Sequence, residues 1–201
     1  MLPMITELKK KTVFLLTFLF LWEAFAFNGT PVSLQTSLYS QIPLYGSSEI
    51  NNLNNNLNNA DIKRVIAGSF VDFNVDLCKY IKFSTGVDVC CDFIWGGDEF
   101  FHHLNYSFFA GLKIHPFDAG INFFASYALG QRVDFKKITD AENNGAAFSS
   151  WGNGFRLGIE YNILYWKEIA VYPIVGTFYE FFPRGNYLKD NIFAVYAGLQ
   201  F

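Results

Sequence analysis

The chain has 201 residues, of which 51% are hydrophobic, 19% aromatic and only 16% charged, with a formal net charge of −3. A chain with no basic excess carries no electrostatic footprint for nucleic acid, which excludes that class of partner. The charged fraction falls well below the roughly 25% of ordinary globular chains, and 24 phenylalanines must find places in one domain of about ordinary size.

At the amino end, Lys9, Lys10 and Lys11 precede an apolar run over residues 12–22, and Ala24-Phe25-Ala26 follows. Positive charge, short apolar run and a small-x-small tripeptide form the pattern of a cleaved secretory signal. The run is too short for the roughly 20 residues of a spanning helix. The expected organisation is a signal over 1–26 and one domain over 27–201.

Beyond residue 26 no long apolar stretch occurs, so the apolar residues are interleaved with polar ones at period two. In chain order the alternation predicts strands over 32–44, 63–77, 81–95, 104–114, 119–135, 151–163 and 169–182, and an eighth ending at Phe201. The second shows the pattern: Val65, Ala67, Val71, Phe73 and Val75 oppose Gly68, Phe70, Asp72, Asn74 and Asp76. The seventh is less clean, since Tyr172, Ile174 and Phe178 share a face with Gly176 and Glu180. The predicted lengths match the 9–11 residues that cross a bilayer obliquely.

The predicted connections alternate in length. Those near residues 78–80, 115–118 and 164–168 are tight, whereas 45–61, 96–103, 136–150 and 183–190 are longer and polar. Short turns on one side and long loops on the other are the pattern of outer-membrane barrels, and an even strand number returns both termini to the periplasm. The first long connection contains Asn51 to Asn59, a low-complexity asparagine run that favours turns over helix. Trp95 and Trp151 flank the outer loops, and Tyr80, Tyr165 and Trp166 flank the inner turns, as aromatic girdles would.

The polar face of the strands is rich in Gly, Ser and Asn and poor in charge, which suits a narrow barrel interior better than a soluble surface. Its few charges invite pairing of Lys113 and Arg156 with Asp72, Asp88, Glu160 and Glu180. Such pairs read as a structural plug; a gated pore is the competing reading. Cys78, Cys90 and Cys91 are expected as unpaired thiols, and no metal site and no cofactor are expected. His102, His103, Asp98, Ser107 and Ser149 fall in or beside predicted outer loops, but their spacing matches no hydrolase signature, so no catalytic residue is assigned and the chain is not expected to be an enzyme.

Signal, eight strands and the aromatic end at Phe201 together make the chain resemble the small eight-stranded bacterial outer-membrane proteins of the OmpA transmembrane domain, OmpX and OmpW kind. The Phe- and Asn-rich composition points weakly to a spirochaete. The resemblance implies an all-β, up-and-down transmembrane barrel, monomeric and surrounded by outer-membrane lipid. It also implies that Tyr196, Leu199 and Phe201 are read by the barrel-assembly machinery during insertion. The leading functional expectation is a surface protein whose outer loops meet host or surface ligands. The alternatives are a small-solute or hydrophobic-compound channel and, less favoured, a lipid-modifying barrel enzyme.

Overall fold

Among the described residues, nine strands follow one another: β1 (Val32–Tyr45), β2 (Lys63–Cys78), β3 (Ile81–Gly96), β4 (Glu99–Ile114), β5 (Ile121–Lys137), β6 (Gly145–Phe148), β7 (Gly152–Asn162), β8 (Tyr172–Pro183) and β9 (Lys189–Gln200). The computed structural model describes residues 32–45, 63–116, 119–137, 144–167, 169–183 and 189–201. The barrel lies in the compact unit Ser33–Phe201. The expected signal over 1–26 and the asparagine run lie outside the described residues.

Eight long strands pair with their sequence neighbours, and β9 returns to pair antiparallel with β1, from Gln35 opposite Gln200 to Tyr45 opposite Asp190. Leu34 and Phe201 complete that seam through two backbone bonds of 3.1 and 2.8 Å. The all-β, eight-stranded closed barrel is therefore as predicted. Closure satisfies the backbone groups that an open sheet would leave at its edges.

Period-two alternation sorts the side chains. On β1, Gln35, Ser37, Tyr39 and Gln41 are buried inside, whereas Leu38 and Ile42 are 72% and 65% exposed on the outside. The same holds around the ring, where Val71, Val87, Phe108, Phe123, Leu157 and Val195 all face outward and are exposed. An apolar outer belt around a polar-lined interior suits hydrocarbon outside the barrel, not water. The mixed face of the predicted seventh strand is also explained, since Ile174, Phe178 and Glu180 all point inward and are buried.

Three predicted boundaries are corrected. The supposed long loop over 96–103 is mostly strand. β3 and β4 stay paired to Gly96 opposite Glu99, joined by a two-residue turn at Gly97-Asp98. Gly97 has φ 59°, a left-handed conformation that glycine adopts without steric cost. His102 and His103 are thus strand residues, one facing out and one in, and not loop residues. Within 136–150, β6 pairs with the outer end of β5, Val133 opposite Phe148 to Lys136 opposite Gly145. At four residues it is too short for alternation to reveal. Finally, β8 begins at Tyr172 and not at residue 169, because the β7–β8 connection is widened by a turn in which Lys167 N–H donates to the Leu164 carbonyl at 2.9 Å.

Candidate functional site

Three layers of side chains fill the lumen. In the first, Lys113 of β4 places its Nζ 2.6 Å from Asp72 of β2 and 3.3 Å from Glu160 of β7. Glu160 also accepts from Asn122 at 2.9 Å, Gln35 at 3.2 Å and the Tyr196 hydroxyl at 2.9 Å. Ser84 donates to Asp72 at 2.6 Å. The two carboxylates, on β2 and β7, are thus held by donors from five other strands, the Lys113 ammonium among them. Buried charge survives in such surroundings only when it is paired and hydrogen-bonded.

The middle layer is aromatic. The Arg156 guanidinium lies 3.8 Å from the Phe178 ring centroid, 4.4 Å from Phe70, 4.8 Å from Phe109 and 5.7 Å from Phe124. A weakly hydrated, delocalised cation is the side chain best suited to such a cage. Asp88 sits 3.6 Å from Arg156 and accepts from the Tyr39 hydroxyl at 2.5 Å. Glu180 lies opposite Arg156 in the ladder and accepts from Ser107 at 3.4 Å.

Glycines make room for this layer. A Cβ at Gly68 would fall 2.1 Å from the Tyr39 ring, one at Gly158 2.3 Å from Phe124, one at Gly176 2.4 Å from Tyr196 and one at Gly86 2.7 Å from Phe109. In the last three the aromatic residue is the direct cross-strand partner of the glycine. Each ring reaches over a strand that carries no side chain there. The lumen is filled by rings seated in glycine pits, where small polar filler was expected.

The third layer closes the mouth at the β3–β4 turn, opposite the chain end at Phe201. Arg132, fully buried, reaches Asp134 at 2.7 Å and Asp190 at 3.1 Å, and His103 Nδ1 meets Asp134 at 2.7 Å. Asp92 is held by Arg64 at 2.7 Å. Sequence reading missed this layer, because His103 and Arg132 lie far apart in the chain and Asp190 falls at a predicted loop edge. Inward parity of all three was the available signal. Among the described residues, two lumen cavities beside these layers measure about 10 Å³ each, no more than a single water needs.

Of the hydrolase candidates, Ser107 lines a lumen cavity with Asp88 and Glu180, whereas Asp98 and His102 line the outward face of the β3–β4 hairpin. Ser149 Oγ donates to the Ser150 carbonyl and accepts from the Arg132 N–H, both at 3.0 Å. His102 Nδ1 accepts from the Ile94 N–H at 3.3 Å, which leaves its ring proton on Nε2. Cys78 is exposed, Cys90 is buried in the lumen and Cys91 is half-buried outside; all three thiols are free.

Outward polar pairs mark one rim of the apolar belt. Tyr127 donates to Asn153 and Tyr179 to Asn191, each at 2.7 Å, and Tyr106 donates to Gln131. Trp151 stacks on Phe108 and meets Tyr106 edge-on. At the other rim, Tyr80, Tyr165 and Trp166 are exposed. From Tyr80 to Val89, the partner of Tyr106, nine residues at about 3.3 Å and a tilt of about 40° span roughly 23 Å, close to the height of a barrel's apolar band. Trp95 stands six residues beyond Val89, roughly 15 Å further out by the same geometry. With Phe93, Phe100 and His102 it lines a groove of about 450 Å³ on the outward face of the β3–β4 hairpin.

No protein-family model matches the chain, and no curated protein matches it. Solved structures do. The chain is similar to Ail, the attachment invasion locus protein of Yersinia pestis, in complex with the heparin analogue sucrose octasulfate. The TM-score is 0.58 at 9% identity, covering 85% of this chain and 97% of that one. It is similar also to Neisserial surface protein A, with a TM-score of 0.51 at 13% identity over 84% of this chain and 95% of that one. The fold is that of the small eight-stranded outer-membrane barrels. At these identities the likeness extends to the fold alone.

Proposed function

We propose that the protein is a non-enzymatic barrel of the bacterial outer membrane that acts through its outer surface. The observation that carries this reading is the filled lumen, in which Arg156 and four aromatic rings occupy the barrel axis and leave voids of about 10 Å³. A solute path needs a continuous wet lumen, so chemistry directed at ligands is left to the outward ends of the strands and their connections. A barrel of this fold, Ail, is seen with a sulfated sugar, which supports the idea that such scaffolds take ligands outside the membrane. In this reading both termini are periplasmic and the barrel is a monomer. Leu199 and Phe201, which are exposed, are the parts of the assembly signal still accessible once Tyr196 has turned into the lumen.

Planar-bilayer conductance of the refolded protein tests the reading, with heat-modifiable gel migration confirming the fold. A folded barrel that passes no current is expected. Discrete, reproducible openings would overturn the proposal in favour of the channel.

A further inference from the structure

β1 and β9 meet through non-covalent contacts alone, whereas every other pair of neighbouring long strands is joined by a turn or loop. Parting a sheet at such a seam leaves two rows of unpaired backbone groups. The side chains that tie the seam from within therefore decide where it yields first.

Glu160 holds both strands of the seam with one atom. Its Oε2 accepts from Gln35 Nε2 of β1 at 3.2 Å and from the Tyr196 hydroxyl of β9 at 2.9 Å. Its Oε1 is anchored elsewhere, by Asn122 of β5 at 2.9 Å and Lys113 of β4 at 3.3 Å. Lys113 also donates to Gln35 Oε1 at 2.7 Å, so the Gln35 amide is held at both ends. All five side chains are buried, and hydrogen bonds to an ion are strongest in such surroundings.

This tie sits in the half of the seam that ends at Phe201, where Gln200 also donates to Ser33 at 2.9 Å. Nearer Asp190 the inner faces part company. Gln41 is 6% exposed, and neither of its amide atoms has a hydrogen-bond partner among the described residues. It stands opposite Ala194, which has no polar side chain to offer. Two residues on, Pro43 brings no N–H to the ladder. Tyr39 is tied to Asp88 of β3 and Asp190 to Arg132 of β5. Those bonds hold the two strands to different neighbours and not to each other. On the outside, Leu38 opposes Ala197 and Ser40 opposes Val195, pairs with one small member each.

We propose that Glu160 is an internal latch on the β1–β9 seam, and that the seam parts from its Asp190 end while the latch keeps the Phe201 end closed. Proteins open locally in contiguous units at a lower cost than global unfolding, and the seam is such a unit. The latch goes beyond the outward-acting role and holds whether or not the lumen conducts.

Hydrogen exchange of the full folded barrel in lipid nanodiscs, read by mass spectrometry, tests it. In the parent, residues 40–44 and 190–194 are expected to exchange faster than 33–38 and 196–201, and faster than the β3–β4 pairing. Tyr196→Phe keeps the ring and removes the β9 tie; Gln35→Leu removes the β1 tie. Each is expected to speed exchange over 33–38 and 196–201 by about tenfold or more, with the β3–β4 pairing unchanged. Ser107→Ala removes a buried lumen donor to Glu180 away from the seam and is expected to leave the seam as in the parent. Uniform acceleration around the ring in Tyr196→Phe would overturn the latch, since Glu160 would then support the whole barrel alike. An unchanged seam in that variant, an equal effect of Ser107→Ala on the seam, or fastest parent exchange at the Phe201 end would overturn it too. Should Gln35→Leu not run as folded on gels, Tyr196→Phe alone decides.

Discussion

The hydroxyl of Tyr196 on β9 donates to Glu160 on β7 at 2.9 Å, over the backbone of Gly176 on the strand between them. This single bond couples the last strand to the lumen charge cluster. Tyr196→Phe keeps the ring in its glycine pit and removes only the donor. A buried carboxylate that loses one partner costs about 1–3 kcal/mol. A lowered urea midpoint with an unchanged slope is expected, and an unchanged midpoint would show that the bond contributes nothing.

The glycine pits predict an unusual sensitivity to one methyl group. Gly158→Ala would press a Cβ to 2.3 Å from the Phe124 ring and 2.5 Å from a backbone oxygen. Overpacking of this kind costs about 1–3 kcal/mol. Phe124→Leu in the same chain should recover part of the loss, because it frees the far side of the pit. Unfolding midpoints of the two single variants and the double variant measure the coupling, and strict additivity would count against ring and pit acting together.

Lys113 offers the sharpest electrostatic test. Lys113→Met leaves Asp72 and Glu160 facing one another without their cation, and breaking a buried pair from one side costs about 3–5 kcal/mol. Glu160→Ala should likewise weaken the barrel far more than Glu142→Ala, a substitution in the predicted outer connection. If all three variants melt with the parent in urea, the lumen cluster has no structural role.

Orientation is tested at Val71, which faces outward near the middle of β2. Val71→Arg should cost about 2–4 kcal/mol in lipid vesicles, the depth-dependent penalty for an arginine near the bilayer midplane. Arginine at Trp95, beyond the polar rim, should cost little. Equal penalties at the two positions would show that the rim drawn by Tyr106, Tyr127 and Tyr179 is misplaced.

Much of this fold was legible because strand parity is an arithmetic property. Once Val65, Val71 and Val75 face one way, Asp72 and Asn74 must face the other. The lumen was less legible for the same reason. Phe109 and Phe124 fall on the inward beat, between Ser107 and Gly111 and between Asn122 and Ser126, yet hydropathy alone assigns a phenylalanine to the lipid side. Only the glycines opposite them, Gly86 and Gly158, explain how a large ring fits inside an eight-stranded barrel. Which base meets which carboxylate depends on stagger between strands, so Lys113 of β4 meets Asp72 of β2 and Glu160 of β7 through geometry that no local pattern contains. The β3–β4 turn was missed because Glu99, His102 and His103 read as polar loop, whereas the histidines are divided between a stacked outer face and a paired inner one.

The seam between β1 and β9 sets a clock on assembly. Gln200 donates to Ser33 across a chain separation of 167 residues, and no pairing of nearer strands can stand in for that contact. Contacts this distant in sequence form late, since chain closure must be achieved before they return any stabilisation. Until β9 has been delivered, β1 keeps an unpaired edge and the aromatic pits cannot all be sealed. The protein is therefore most exposed to wrong partners in the interval before its two ends meet, and a companion that shields β1 during that interval would do more for its yield than any gain in the stability of the finished barrel.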